Sequence, residues 1–330
     1  MKKTILFVVL FLSTALLYGQ KPLKGPLPCA DSSTHLFAVR GADSLYLNFY
    51  TPVNPRADRA TVVYLYGGAF IKGHRDDKQT RLDANALLKA GFSVAAIEYR
   101  KYFGKVEFAK LSKSKYLDAL DSAINYAAAD CGAAVAFLVR HADSFNIDTS
   151  KIILTGSSAG AMAVLQLDFA RANGMEAASE LPEGFRPAAV VSYSGAIFNH
   201  HGSLDYKNEP APTAFFYGEV DRVVPYRCIS LFSAHYGGSA CLISNFDDND
   251  YVYWAFRYRK HGHEVCAYLF RTITEYTAFV DAVLSGRRIH YDSRCSSDEF
   301  LITAVSKFTL KDLLDYDDRE EGVFDEKTSE

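Results

Sequence analysis

The feature that most constrains this chain is the segment 151–165, which reads KIILTGSSAGAMAVL. A short apolar run ends in the pattern G-x-S-x-G and passes directly into an apolar stretch with helical spacing. A strand followed at once by a helix needs a very sharp turn, and Gly156 and Gly160, which lack a Cβ, permit the two backbones to approach. The pattern therefore predicts that Ser158 lies at the apex of the turn with its hydroxyl above a sheet. The alternative is an ordinary strand-to-helix turn whose serine caps the helix.

Apolar strands alternate with helices along most of the chain. The predicted strands are 61–66, 92–97, 152–154, 188–193, 213–217 and 251–258, and the predicted helices lie near 81–89, 116–145, 159–172 and 264–285. Strands that are apolar throughout are typical of a parallel sheet covered by helices on both faces. Alternating segments at 36–40 and 45–50 predict an antiparallel hairpin at one edge. The fold class is therefore α/β, with a mostly parallel, eight-stranded sheet and an antiparallel edge hairpin.

The two ends of the chain differ from its body. Residues 1–19 have the layout of a signal peptide, with two lysines ahead of an apolar stretch too short to cross a bilayer comfortably. We therefore expect export to the periplasm or the cell exterior. No other segment is expected to be long and apolar enough to cross a membrane, so no stable membrane insertion is predicted. Residues 20–314 contain no repeat or Pro/Gly-rich linker and predict a single domain. Residues 315–330 are acidic and poor in large apolar groups, which predicts a mobile tail.

Charge and cysteine content narrow the classes of partner. The formal net charge of −3 gives no basis for a nucleic-acid partner. The six cysteines are widely spaced and show no C-x-x-C pattern, so we predict neither a metal nor a cofactor. Export would permit disulfides, but the sequence does not choose among the many possible pairings. The oligomeric state is left open.

Two polar residues follow later predicted strands and can complete a site around Ser158. Asp221 comes after one strand and His263 lies in the loop after the last strand. Ligand sites of open α/β sheets lie at the C-terminal ends of the strands, so the three side chains are expected to meet. A neutral imidazole at His263 would take the serine proton, and the Asp221 carboxylate would orient the imidazole. His261 is the rival base, and the alternatives are a solvated loop histidine and a turn aspartate.

The position of His263 depends on how the segment after it folds. The run 265–270 could be a strand, which would place the histidine at the wrong end of the sheet. Apolar residues recur at helical spacing through 264–285, and Gly286 then provides a stop signal, so a single helix is predicted. His290 would then lie beyond that helix, at the opposite end of the sheet.

A glycine-rich segment, YGGAFIKG at 66–73, follows the strand 61–66. Its glycines allow backbone N–H groups to turn toward the space above the serine, where they would stabilise an oxyanion. The predicted donors are the N–H groups of Gly68 and Ala69, together with that of Ala159 after the serine. A phosphate-binding loop is the alternative, but the G-K-[ST] ending is absent.

Together these motifs resemble the hormone-sensitive-lipase-like and feruloyl-esterase-like branch of the α/β-hydrolases, over most of residues 35–286. The matching segments are 66–70 in place of His-Gly-Gly-Gly/Ala, 98–100 in place of D-Y-R, 147–160, 218–225 and 262–263. Tyr66 stands where the branch usually has a histidine, and the segment between Pro225 and the last strand is long. The resemblance implies an α/β-hydrolase fold and esterase activity, with deacetylation or deferuloylation of plant polysaccharides among the branch's common reactions.

The predicted function is that of an exported serine hydrolase that cleaves carboxylic esters through an acyl-enzyme. The expected partner is a small-molecule or carbohydrate-linked ester, and the candidate pocket residues are Phe70, Tyr193 and Phe198. Short acyl groups are favoured because the chain shows no second apolar domain or long lid segment. The alternatives are an amidase, peptidase or acyltransferase on the same triad, or a non-catalytic binding protein on a hydrolase fold.

Overall fold

The computed structural model describes residues 26–107, 111–200, 202–231 and 233–295. The predicted signal peptide (1–19) and tail (315–330) lie outside these ranges. The strands are β1 Cys29–Arg40, β2 Asp43–Pro52, β3 Thr61–Leu65, β4 Ser93–Ile97, β5 Ile152–Ser157, β6 Ala189–Tyr193, β7 Ala196–Asn199, β8 Thr213–Gly218, β9 Cys228–Leu231, β10 Ala234–Gly238, β11 Tyr253–Tyr258 and β12 Tyr291–Cys295. The α-helices are α1 Lys78–Lys89, α2 Lys113–Arg140, α3 Ala142–Phe145, α4 Ala159–Asn173, α5 Ser239–Asp248 and α6 Ile273–Leu284.

One large sheet organises the chain. Its order is β1-β2-β4-β3-β5-β6-β8-β11-β12. Strands β1, β2 and β4 pair antiparallel, and every later pair from β4 to β12 is parallel. The predicted fold class, a mostly parallel sheet with an antiparallel edge hairpin, is therefore confirmed.

The strand count differs from the prediction of eight, because β12 adds a ninth strand at the far edge. Its sequence, YDSRC, is mostly exposed and lacks the apolar signal of a buried strand. A separate three-stranded sheet, β7-β10-β9, was not predicted either. Short strands of this kind carry little periodic signal of their own.

Helices cover both faces of the sheet. The hydroxyl of Thr155 in β5 lies 2.8 Å from the hydroxyl of Tyr276 in α6. The next residue, Gly156, lies against Gly160 of α4. Because successive strand residues point to opposite faces, α6 and α4 lie on opposite sides of β5.

Helix α2 corrects the expectation that no further segment has the properties of a membrane span. By length and composition alone, Ser114–Arg140 is long and apolar enough to cross a bilayer. However, 67% of its apolar window is buried inside the protein, where α2 packs against α4. Its apolar character is what a long core helix requires.

The segment after His263 is not the single helix predicted for 264–285. Two 3₁₀ turns, His263–Ala267 and Leu269–Arg271, come first, and α6 begins at Ile273. The apolar spacing of three to four residues suits both kinds of helix, so periodicity did not distinguish them. The predicted helix 116–145 is likewise interrupted at His141, between α2 and α3.

Candidate active site

Ser158 alone separates β5 from α4. Its backbone has φ 51° and ψ −115°, a conformation that a side chain with a Cβ adopts only under strain. Two hydrogen bonds hold it: its N–H donates to the carbonyl of Tyr193 at 2.9 Å, and its own carbonyl accepts from the N–H of Met162 at 2.9 Å. The strained turn directs the Ser158 hydroxyl away from the strand and the helix.

The glycines on either side of the serine are required by space. A Cβ on Gly156 would lie 2.5 Å from the backbone nitrogen of Ala161. A Cβ on Gly160 would lie 2.6 Å from the carbonyl oxygen of Tyr66. All of these neighbours are backbone atoms, which cannot move aside as a side chain can. The predicted role of the two glycines is therefore what the packing shows.

The structure brings Ser158, His263 and Asp221 together. The Oγ of Ser158 lies 2.8 Å from Nε2 of His263, and Nδ1 of His263 lies 2.8 Å from Oδ2 of Asp221. The other carboxylate oxygen of Asp221, Oδ1, accepts hydrogen bonds from the backbone N–H groups of Val223 and Val224, at N···O distances of 2.8 and 3.0 Å. All three side chains are buried. The carboxylate is thus fixed by its own loop, and only one of its oxygens faces the imidazole.

The rival residues point elsewhere. Nδ1 of His261 lies 3.0 Å from the hydroxyl of Tyr268 and 3.2 Å from a carboxylate oxygen of Glu264. The hydroxyl of Ser157 donates to the carbonyl of Cys266 at 2.6 Å. His290 lies near Asp250 at the edge of the sheet. Neither His261 nor His290 therefore contacts Ser158.

The charge of Asp221 controls the ionisation of His263. Burial lowers the pKa of the imidazole, but the Asp221 carboxylate, with a smaller contribution from Cys266, outweighs it, so that the net pKa lies well above the ordinary value of 6.5. The imidazolium form is therefore strongly stabilised. A histidine in this setting can hold a proton taken from Ser158.

The 66–73 loop passes beside the turn at Ser158. A Cβ on Gly67 would lie 3.2 Å from Cβ of Ser158. Three successive residues, Gly68, Ala69 and Phe70, have φ values of 136°, 56° and 59°. Such a run of positive φ is costly for residues other than glycine and is typical of a functional loop.

The predicted N–H donors are free to bind a ligand. Within the described ranges, no acceptor takes a hydrogen bond from the N–H groups of Gly68, Ala69 or Ala159. The loop is closed instead by the N–H groups of Ile71 and Lys72, which both donate to the carbonyl of Gly68 at 2.9 and 3.0 Å. That these N–H groups stabilise a negatively charged oxygen stays a prediction.

Tyr66, which replaces the usual histidine of the resembled branch, supports the loop by packing. Its ring stacks on Tyr99 at 4.6 Å, and the Tyr99 hydroxyl donates to the Tyr66 carbonyl at 2.9 Å. A Cβ on Gly73 would lie 2.5 Å from the nearest atom of the Tyr66 ring, so the far end of the loop packs on this side chain. The Tyr66 hydroxyl is buried and has no partner in the described part of the chain.

The three candidate pocket residues are all buried. The Tyr193 ring stacks on Phe216 and its hydroxyl lies 2.8 Å from the hydroxyl of Thr272, so these contacts are those of a core residue and lend its assignment to the pocket no support. The sequence placed it at the end of a strand near the serine, but only its backbone reaches that point. Phe70 packs on neighbouring aromatic rings below the loop, and Phe198 lies in β7. Their contact with a substrate stays a prediction.

The long segment after Asp221 forms a small subdomain with β7. It consists of β9, β10 and α5, and a disulfide joins Cys228 to Cys241. A Cβ on Gly238 would lie 2.6 Å from Cα of Tyr226, so this subdomain packs tightly on the loop that carries Asp221. The sequence contained the two cysteines but no signal for their pairing. Among the described residues, no group of three or more His, Cys, Asp or Glu side chains could hold a metal ion.

Known proteins share this fold. An esterase of the Planctomycetes species Thermogutta terrifontis superposes with a TM-score of 0.55 at 16% identity, covering 77% of this chain and 92% of that one. A truncated carbohydrate esterase from gut microbiota has a TM-score of 0.54 at 20% identity, covering 78% of this chain and all of that one. The chain therefore has the α/β-hydrolase fold.

Sequence comparison covers a smaller part of this chain. The BD-FAE family model matches residues 47–197, which include the 66–73 loop and Ser158 but neither Asp221 nor His263. Acetylcholinesterase 1 of Caenorhabditis briggsae is 31% identical over 130 residues. That match covers 37% of this chain and 18% of the relative, so the chain spans about a fifth of the length of this curated relative.

Proposed function

We propose that this protein is a serine hydrolase that cleaves carboxylic esters through an acyl-enzyme. The observation that carries the proposal is the contact of Ser158 with His263 and of His263 with Asp221, both at 2.8 Å, on a strained strand-to-helix turn. A serine hydroxyl is too weak an acid to ionise alone, so an aligned base is the requirement for its attack on an ester.

Acylation begins when Oγ of Ser158 attacks the ester carbonyl and its proton passes to Nε2 of His263. Asp221 stabilises the imidazolium across the Nδ1 contact. The negative oxygen of the tetrahedral intermediate accepts hydrogen bonds from the N–H groups of the 66–73 loop and of Ala159. Collapse of the intermediate breaks the bond to the alcohol oxygen, which leaves with the proton held by His263.

Deacylation repeats these steps with water. His263 takes a proton from a water molecule as its oxygen attacks the acyl carbonyl. The same backbone N–H groups hold the new oxyanion. The carboxylic acid then leaves, and Ser158 regains its proton from His263.

We also propose that the protein is exported and that its substrate is an ester of a small molecule or a carbohydrate. The layout of residues 1–19 and the disulfide between Cys228 and Cys241 support export, because disulfides persist in oxidising compartments. The likeness to a carbohydrate esterase from gut microbiota motivates acetylated and feruloylated sugars as test substrates. We propose short acyl groups as the preferred acids.

The test is labelling by a fluorophosphonate probe together with hydrolysis of 4-nitrophenyl acetate. Ser158→Ala should abolish labelling and lower kcat by about 10⁴- to 10⁶-fold. Ser157→Ala is the matched control: it removes a hydrogen bond to the Cys266 carbonyl but no reacting atom, so it should still label to completion even where its kcat falls. Wild-type protein that neither labels nor hydrolyses esters would support a binding protein, and faster cleavage of the matching anilide would support an amidase.

A further inference from the structure

Asp83, on α1, is a fully buried carboxyl outside the triad. Its Oδ2 accepts hydrogen bonds from the hydroxyl of Tyr64 at 2.6 Å and from Nε2 of Gln79 at 3.1 Å. Its Oδ1 accepts the backbone N–H of Phe270 at 3.2 Å. No Lys, Arg or His of the described ranges forms an ion pair with it. A buried carboxyl without a cation is costly, so this one calls for a structural or functional reason.

The partners of Asp83 belong to the two elements that build the site. Tyr64 lies in β3, which leads directly into the 66–73 loop. Phe270 lies in the segment 263–271, which begins with His263 and which we call the histidine segment. The Asp83 carboxyl therefore ties the strand before one half of the site to the segment that carries the other half.

Two further hydrogen bonds hold the histidine segment in the same place. Nε2 of Gln79 also donates to the carbonyl of Ala267 at 3.3 Å. From the opposite side, the hydroxyl of Ser157 donates to the carbonyl of Cys266 at 2.6 Å. The backbone between His263 and α6 is thus anchored at three successive points, two of them on α1.

We propose that Asp83 is a positioning residue for the triad. By holding the histidine segment against α1 and β3, its carboxylate keeps the imidazole of His263 within reach of Ser158. This inference rests on the proposed function, since it gives Asp83 a role in the same reaction. Asp83 does not touch the reacting atoms and acts only through the backbone it holds.

The network suits the ionised carboxyl. All three partners donate in this arrangement, so adding a proton to Asp83 removes an acceptor and forces the hydrogen bonds to rearrange. Burial nevertheless raises the pKa of Asp83 to about 7. The elements around it carry further ionisable groups. These are Asp77, Lys78, Arg81 and Lys89 in or next to α1, Asp43, Tyr46 and Tyr50 on β2, Tyr64 on β3, Tyr193 on β6, and His263, Glu264, Cys266, Tyr268 and Arg271 in the histidine segment, while β4 carries none. The anchorage should therefore weaken as the pH falls below about 7.

The test compares Asp83→Asn with the control Asp130→Asn in 4-nitrophenyl acetate hydrolysis between about pH 6 and pH 9. Each rate is divided by the concentration of sites that a fluorophosphonate labels to completion, so unfolded protein does not count. Asparagine resembles the protonated carboxyl in shape and charge. Asp130 is also fully buried, but it accepts from Arg40 and Arg100 and does not contact the histidine segment.

Above about pH 8, Asp83→Asn should lower kcat by about 10- to 100-fold, since a misplacement of about 1 Å can cost that much, while KM stays within about twofold. The ratio of wild-type to variant kcat should then fall toward one below about pH 7, where the wild-type carboxyl is protonated too. Asp130→Asn should keep both the wild-type kcat per labelled site and the wild-type pH profile.

A labelled Asp83→Asn protein with the wild-type kcat and pH profile would overturn the inference. So would a kcat deficit that is the same at every pH, because that is what a merely structural defect produces. If Asp83→Asn does not fold, Gln79→Ala takes its place in the test. The inference then requires that Gln79→Ala lowers kcat while KM stays within about twofold. Wild-type protein without labelling or turnover refutes the proposed function itself, whereas an active wild type beside an unaltered variant refutes only the role of Asp83.

Discussion

Gly160 should not tolerate even a methyl group. A Cβ at this position would lie 2.6 Å from the carbonyl carbon of Leu65 and 2.6 Å from the carbonyl oxygen of Tyr66, whereas ordinary Cβ contacts begin near 3.4 Å. Leu65 ends β3, which is paired on both sides, with β4 and β5. Relief would require a shift of about 1 Å between α4 and the middle of the sheet, which close-packed interiors resist.

Two opposing effects decide how much Gly160→Ala changes the free energy of unfolding. Alanine favours the helix by about 1 kcal/mol relative to glycine. Overpacking a core costs about 1–3 kcal/mol, and a clash with backbone atoms belongs at the upper end of that range. We therefore expect the free energy of unfolding to fall by about 2 kcal/mol, with loss of fluorophosphonate labelling because the turn at Ser158 is displaced.

Urea unfolding of wild type, Gly160→Ala and Gly132→Ala provides the measurement. Gly132 lies inside α2, and a Cβ there would meet only the side-chain ends of Leu167 and Leu181, at 3.6 Å or more. Gly132→Ala should therefore gain about 1 kcal/mol from helix propensity alone. A Gly160→Ala protein that unfolds at the wild-type urea concentration and labels fully would refute the argument.

Three further predictions concern the triad and its substrate. His263→Ala should lower kcat by about 10⁴-fold or more. The imidazole of His261 faces Tyr268 and Glu264, so His261→Ala should keep a kcat near that of the wild type. A folded His263→Ala protein with near-normal kcat would contradict the assignment of the base. Because Asp221 raises the pKa of His263 and only the neutral imidazole accepts a proton, kcat/KM should be lost as the pH falls, with a midpoint above 6.5, and a midpoint below that value would contradict the argument. In a series of 4-nitrophenyl esters, kcat/KM should be highest for short acyl chains, and a steady rise toward long chains would show that the pocket was misjudged.

The turn around Ser158 could be predicted because its requirements are local. The strand, the two glycines and the helix lie within 15 residues, and each acts on its immediate neighbours. The buried strands β3, β4, β6 and β8 were recognisable for a similar reason, since burial on both faces demands a continuous apolar run.

Other elements carried no comparable local signal. Strand β12 is polar and exposed, and it exists because β11 offers it a free edge. The pairing of Cys228 with Cys241 depends on β9 and β10 lying side by side. Asp83 carries no signal of its own in the sequence, because nothing nearby in the chain shows that Tyr64 and Phe270 meet it.

Ser158, Asp221 and His263 each follow a predicted strand, and this alone was enough to predict that they lie at one edge of an α/β sheet. Only the tertiary structure decided that His263, rather than His261, lies 2.8 Å from the serine. The two histidines are two residues apart in one loop, so no periodic pattern separates them. What separates them is the path of the histidine segment, set by contacts with α1 and the turn at Ser158, which are far away in the chain and act only once the sheet has formed.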